Sequence, residues 1–267
     1  MIGALFFCAT KGVKSALEMI VCDHVDVPEL RLHGISDVHL GSSDCDEERF
    51  LALLQHINDD PAARIILNGD LLQYDTKGSV GDVYRQRYPP SQQKRLMREY
   101  LTPVKDKILG ILGGNHDEIR TQEDASPIQD IAEWLGVPYC AGEGLFKIPV
   151  GKGKNGKPLV YTVYCTHGWS NARLVGGKAN NLHRLSDIVL ADIYMISHTH
   201  TPMAFPDTFY VPDLRNNKVD KRIRYYVNTG SFQKRGQYPK RKGMRPVAPL
   251  NPIVLLNGRE RHIEVKL

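Results

Sequence analysis

Five apolar runs in this chain each give way to a short cluster of carboxylates, imidazoles or amides, in order along most of its length. The run 30–35 leads into Asp37-Val38-His39, 64–68 into Gly69-Asp70, and 108–112 into Gly114-Asn115-His116-Asp117. The run 160–165 leads into His167-Gly168, and 192–196 into Ser197-His198-Thr199-His200. Short apolar runs stopped by polar turns read as strands. In open α/β sheets the carboxyl ends of strands share an edge, so clusters far apart in sequence can meet there. An α/β fold that gathers five strand ends is therefore expected.

The residue types at those ends suit divalent transition metals. Imidazole together with carboxylate favours manganese, iron or zinc, whereas an all-oxygen set would point to magnesium or calcium. Two cations about 3.5–4 Å apart need an anion between them, and Asp70, on a turn after Gly69, is the natural bridge. One ion is then expected on Asp37, His39, Asp70 and His200, the other on Asp70, Asn115, His167 and His198. An extended backbone through His198-Thr199-His200 would turn both imidazoles to one face, where each reaches its own ion.

The ordered set, followed by Asn228-Thr229-Gly230-Ser231, resembles the calcineurin-like metallophosphoesterase superfamily, whose pattern is D-x-H, G-D-x-x-D, G-N-H-[DE], H and G-H-x-H. The resemblance covers residues 30–231 and implies a four-layer α/β/β/α sandwich of two mixed sheets. It implies hydrolysis of phosphate mono- or diesters with two metals, manganese foremost and iron or zinc as alternatives, with the seven residues above as ligands and His116 as the catalytic imidazole. A hydroxide bridging the metals would attack phosphorus in line while His116 protonates the leaving alkoxide. The chain departs from the pattern twice. Ser197 replaces the first glycine of G-H-x-H, tolerable where φ stays negative. Gln73 replaces the last aspartate of G-D-x-x-D, the carboxylate that orients the catalytic histidine in related phosphatases. Asp75 or Asp117 is the candidate substitute. Long loops and the Gly176-Gly177 pair also resemble bacterial and bacteriophage members.

At 267 residues the chain fits one domain of residues 1–267: an N-terminal extension 1–29, the motif core 30–231 and a basic segment 232–267. No apolar run approaches the roughly 20 residues of a membrane helix, and the start lacks a basic n-region, so a cytoplasmic protein without membrane association is expected. Five cysteines without a C-x-x-C favour free thiols, and Cys165 reads as a buried small hydrophobe.

Three regions bear on substrate. The stretch 76–90, with Arg85 and Arg87, follows the expected bridge and should line the rim. The stretch 168–181 leaves His167 directly; Trp169 suits stacking, Arg173 and Lys178 suit phosphate, and the amides of Gly176-Gly177 suit an anion. Lys218, Lys221, Arg222 and Arg224, with later cations and interleaved Tyr225, Tyr226, Phe232 and Tyr238, account for the net charge of +5 and suit a nucleic-acid backbone as well as a solvated face. A metal-dependent phosphodiesterase or nuclease acting on a phosphate ester is the leading reading, and a phosphomonoesterase the alternative.

The remaining segments read as scaffold. Weak helical character is expected over 11–20, a helix over 92–107 capped by Ser91 and strained by Pro103, and one opened by Ser126-Pro127 and closed by Gly136. Residues 151–156 read as a hairpin tip, and His183 is the spare histidine placed nearest the ligand clusters.

Overall fold

The computed structural model describes residues 17, 19–76, 84, 86–119, 126–236, 245–246 and 248–267. In chain order the strands of the first half are β1 (Met19–Val21), β2 (Glu29–Ile35), β3 (Ala63–Asn68), β4 (Ile108–Leu112), β5 (Tyr139–Cys140) and β6 (Glu143–Val150). Those of the second half are β7 (Leu159–Thr166), β8 (Ile193–Ile196), β9 (Met203–Asp213), β10 (Lys218–Asn228), β11 (Ile253–Asn257) and β12 (Ile263–Lys266). The helices are α1 (Glu47–Asp59), α2 (Pro90–Leu101), α3 (Pro127–Leu135) and α4 (Val175–His183).

The strands form two mixed six-stranded sheets, ordered β12-β11-β2-β3-β4-β5 and β1-β6-β7-β8-β10-β9. Each holds a parallel trio at its centre, β2-β3-β4 in one and β7-β8-β10 in the other. All five expected runs are members of these trios. Leu30, Leu32 and Ile66 of the first sheet meet Val163, Ile193, Met195 and Val227 of the second in a buried core between the sheets. Phe50, Leu54, Met97, Leu101, Ile128 and Ile131 of the first three helices cover the other face of the first sheet. Leu182 and Leu185, at and just after the end of α4, cover Tyr164, Tyr194 and Tyr226 of the second sheet. This is the α/β/β/α sandwich, and burial of apolar faces on both sides of both sheets holds it together.

A Cβ on Gly34 would stand 2.4 Å from Met195 Sδ, so the bare glycine leaves room for this methionine between the two trios.

Local rules account for most helix ends. Asp46 caps α1 by accepting from the Arg49 amide, and Ser126 caps α3 by accepting from that of Gln129. Helix α3 ends at Gly136 in the left-handed conformation. Helix α2 differs from expectation. It starts at Pro90 with no side-chain cap, so Ser91 lies inside it. It stops at Leu101, and a 3₁₀ segment, Thr102–Lys107, carries the chain into β4. Pro103 has no N–H to give and its ring clashes with an α-helical carbonyl, which explains the change. Ile20 lies in β1, not a helix; residues 11–16 and 18 are outside the described residues. Residues 151–156 join antiparallel β6 and β7, as expected of a hairpin tip. Cys22, Cys45, Cys140 and Cys165 are buried free thiols, and burial pushes the Cys165 thiol well up. Among the described residues, no helix is long and apolar enough to cross a membrane.

Candidate metal centre

Each of the five strands stops one or two residues before its ligand-type cluster, and the backbone turns sharply there. Asp37, His39, Asp70, His198 and His200 have φ of 50°, 49°, 52°, 66° and 53°. The left-handed region costs an ordinary residue about 1 kcal/mol or more, so surrounding bonds must hold it. They do: Asp37 N donates to Gly69 O at 3.1 Å, His39 N to Asp70 O at 3.0 Å, and Ser197 N to His167 O at 3.1 Å. The expected extended backbone through residues 198–200 is thus not found. Strand β8 ends at Ile196, and Thr199 N folds back onto Ser197 O at 2.7 Å. The two imidazoles reach different neighbours because each sits on its own left-handed residue.

Two donor groups result. In the first, Asp37, His39 and His200 converge, with His200 Nε2 at 3.0 Å and His39 Nε2 at 3.9 Å from Asp37 Oδ1. In the second, Asp70, His167 and His198 converge, with His167 Nε2 at 3.2 Å from Asp70 Oδ2 and 3.1 Å from Asn115 Oδ1. Asp70 Oδ2 also lies 3.8 Å from His39 Nε2, which places this carboxylate between the groups. A third combination, His39, Asp70 and His116, overlaps both; the rings of His39 and His116 meet edge to face at 4.5 Å. All seven expected ligands and His116 are therefore gathered at one place.

Packing and electrostatics shape these groups as acceptors. Gly114 is required by close approach, since a Cβ there would lie 2.2 Å from Asp70 N and 2.3 Å from Asp70 Oδ1. The second oxygen, Asp70 Oδ1, accepts from His116 N at 2.8 Å. His167 Nδ1 lies 2.8 Å from the carbonyl of Asn68 and donates to it, which fixes the ring with Nε2 toward the site. Asp37, His39, Asp70 and His167 are all buried. Burial would raise the Asp70 carboxyl, but His167 and His39 outweigh it and hold it well below the usual range. Burial likewise opposes ionisation of Asp37, yet His200 and His167 bring it down to about 2. Burial first, then His116, keeps His39 neutral well below its ordinary value; burial and His167 lower His198. Burial opposes protonation of His167, but Asp70 outweighs it and pushes the ring up to about 10, so a cation bound here would displace a proton from it. Among the described residues, His39 Nδ1 and His198 Nδ1 are buried without a hydrogen-bond partner, a costly arrangement for a site of protein atoms alone. The donor set fits two divalent metals.

His116 Nδ1 lies 3.3 Å from the main-chain oxygen of Gln73, so a backbone carbonyl stands where the family pattern has a carboxylate. The Gln73 side chain donates to Asp75 at 2.9 Å. Asp117 accepts the amides of Leu71 and Leu72 at 3.1 and 3.0 Å, bracing the turn that carries Asp70. Burial and the neighbouring Asp70 push the Asp117 carboxyl up to about 8.

The rim residues separate. Arg85 lies outside the described residues. Arg87 is exposed, but its guanidinium donates to Ser43 O at 2.7 Å and anchors the loop after His39. Trp169, 55% exposed, and Arg173 lie on the loop leaving His167. The Lys178 ammonium donates to Thr199 O at 2.9 Å and to the Thr201 hydroxyl, clamping the turn that carries both histidines. Gly176 and Gly177 belong to the first turn of α4, not to a loop. His183 packs on Tyr226 at 5.1 Å and serves the helix–sheet contact.

The cationic strip also departs from expectation. Tyr226 and Phe232 are core residues. Arg224 pairs with Asp207 at 2.7 Å, Lys218 with Asp220 at 3.0 Å, and Lys234 with Asp46 at 3.1 Å. Tyr238, Lys240, Arg241 and Lys242 lie outside the described residues.

Sequence reasoning passed over two polar residues beside the ligands, Ser36 and Asn68, and gave Asn228 and Thr229 no role beyond a turn; all four are buried. Their signal is position. Each lies at or just past a strand's last residue, where an apolar residue would otherwise be expected.

No protein-family model matches the sequence, and no curated protein is significantly similar to it. Solved structures give remote matches. A conserved uncharacterized protein and predicted phosphoesterase from Streptococcus pneumoniae is 12% identical with a TM-score of 0.38, over 90% of this chain and 88% of that one. A metallophosphoesterase from Sphaerobacter thermophilus is 16% identical with a TM-score of 0.39, over 87% and 90%. Wild-type Vps29 from Entamoeba histolytica, complexed with Zn²⁺, is 13% identical with a TM-score of 0.38, over 89% and 97%. At these identities and scores the roles of the residues rest on the geometry of this chain.

Proposed function

We propose that this chain is a two-metal phosphoesterase of the calcineurin-like superfamily, with a phosphodiester, such as a nucleic acid or nucleotide, as the favoured substrate. The observation that carries the reading is the position of Asp70, a buried carboxylate between two histidine-rich groups. Asp37, His39, Asp70 and His200 would hold one ion, and Asp70, Asn115, His167 and His198 the other. When bound, such ions polarise a phosphoryl group and lower the pKa of the attacking water, and manganese, iron or zinc suits these donors.

The protein's own contribution is orientation and proton transfer. Gln73 O takes Nδ1–H of His116, so a protonated ring would present Nε2–H to a leaving oxygen. A neutral carbonyl orients the ring without the charge of a carboxylate, which suits leaving groups that need only modest assistance. Exposed Trp169 and Arg173 beside His167 support a diester with a planar group, through stacking and charge. No Asp or Glu occurs between Glu143 and Asp187, so nothing in that stretch repels an anion. The internal pairing of Arg224, Lys218 and Lys234 favours the second reading, a phosphomonoesterase that needs no extended cationic strip.

The test is hydrolysis by Mn²⁺-reconstituted protein of bis-p-nitrophenyl phosphate, p-nitrophenyl phosphate and single- and double-stranded oligonucleotides, with Asp70→Ala as control. Diester and oligonucleotide cleavage lost in the variant supports the favoured reading, and monoester turnover alone selects the second. Inactivity on all substrates with every metal would overturn both.

A further inference from the structure

A continuous row of buried polar side chains crosses from one sheet to the other beneath the donor groups. Asn68 Nδ2 lies 2.5 Å from Ser197 Oγ, Ser197 Oγ 2.9 Å from Thr229 Oγ1, Thr229 Oγ1 2.6 Å from Ser36 Oγ, and Ser36 Oγ 2.6 Å from Asp37 Oδ2. Ser36, Asp37, Asn68 and Ser197 are 0% exposed and Thr229 is 1% exposed, so water does not compete for these contacts.

A carboxylate only accepts, so Ser36 gives its hydroxyl proton to Asp37 Oδ2. Thr229 donates to Ser197, and Asn68 Nδ2 donates to Ser197 and, at 2.9 Å, to Thr166 O, so Ser197 Oγ accepts from both of its neighbours in the row. Thr229 Oγ1 is thereby held against Ser36 Oγ at 2.6 Å. Asp37 Oδ2 accepts His198 N at 3.1 Å as well, and with Oδ2 so occupied the other oxygen, Oδ1, is left facing His39 and His200.

We propose that Ser197 is a positioning residue: by accepting from Asn68 and Thr229 it closes the buried polar row that holds Ser36 on Asp37 and so fixes the orientation of Asp37 in the first donor group. The inference rests on the metal reading above. It explains why a serine stands where the family pattern has glycine, a residue with no hydroxyl to complete the chain. Ser197 has no positive φ, so the backbone does not ask for glycine there.

The test is Mn²⁺ titration of the full chain by calorimetry, comparing the wild type with Ser197→Ala, Thr229→Val, their double variant and Thr229→Ser. The wild type should take up two ions. Ser197→Ala and Thr229→Val should each weaken one ion about tenfold, the scale of a lost charge-assisted hydrogen bond, and leave the other unchanged. The double variant should be no worse than either single, because a chain already broken cannot be broken again. Thr229→Ser keeps the hydroxyl while removing the methyl that packs toward Gly34, so its affinity should match the wild type. Two-ion binding with Ser197→Ala unchanged, additive losses, or a loss in Thr229→Ser equal to that in Thr229→Val would overturn the proposal. A wild type that binds no metal would overturn the metal reading and this inference with it.

Discussion

Asp70 Oδ2 stands 3.2 Å from His167 Nε2, and the opposite nitrogen of the same ring is tied to Asn68 O at 2.8 Å. One ring thus ties the central carboxylate to the main chain. Asp70→Asn keeps the volume and removes the charge that both groups share. Both ions should be lost, with phosphoester hydrolysis falling about 100-fold or more. Metal analysis after Mn²⁺ loading and desalting checks this; two retained ions would show that Asp70 does not bridge.

On the proposed reading His116 serves the acid step rather than ion binding. His116→Ala should keep its metal content and lose about 100-fold or more on an alkyl phosphate ester, but far less on a p-nitrophenyl ester, whose leaving group needs no proton. An equal loss on both esters would remove His116 from the role of general acid.

Gly114→Ala tests how tightly Asp70 is cradled. The new methyl would stand 2.2 Å from Asp70 N, where no flexible side chain can yield. A cost of about 3 kcal/mol is expected, lowering the melting temperature of the metal-free protein by roughly 5–10 °C and weakening both ions. Wild-type melting would mean that the turn can shift.

Lys178→Met removes the ammonium that holds Thr199 O between His198 and His200. Because both histidines hang on that one peptide, both ions should bind more weakly, by about tenfold each, in contrast to the single-ion effect expected for Ser197→Ala. Calorimetric titration distinguishes the two patterns.

His33, 2% exposed, has no hydrogen bond to either ring nitrogen. Burial first, with His56 and Arg31 adding and Asp60 opposing, lowers its pKa from 6.5 to about 4. Between those values the unfolded chain binds the proton and the folded protein does not, so stability falls as the pH drops through that window. The loss is on the order of 3 kcal/mol at most. His33→Leu should flatten this acid limb of urea-denaturation stability; an unchanged limb would locate the sensitivity elsewhere.

Much of the architecture was legible in the chain because its signals are local. Apolar runs bounded by Gly, Asp, Asn and His mark five of the six strands of the two parallel trios, and Ser126 and Gly136 mark the ends of α3 by their own hydrogen-bonding and backbone preferences. The ligand-type residues were legible for a related reason: a Gly-Asp or His-X-His after a strand has little structural purpose and a clear chemical one. The same locality misled where partners were distant. Lys178 reads as a free cation until Thr199 and Thr201 are seen beside it, and Tyr226 reads as part of a basic face until Leu182 and Leu185 cover it.

By itself, then, the sequence determined five of the strands, both ends of α3 and the residue types available to a metal, since each follows from composition and spacing within a few residues. Tertiary structure decided the rest. It set Asp70 between two histidine groups, put Gln73 O where a carboxylate was expected, and joined Ser36, Thr229, Ser197 and Asn68 into one row. These are contacts between residues as much as 193 positions apart, and they exist only because the burial of two sheet faces against each other brings two sets of strand ends to the same edge.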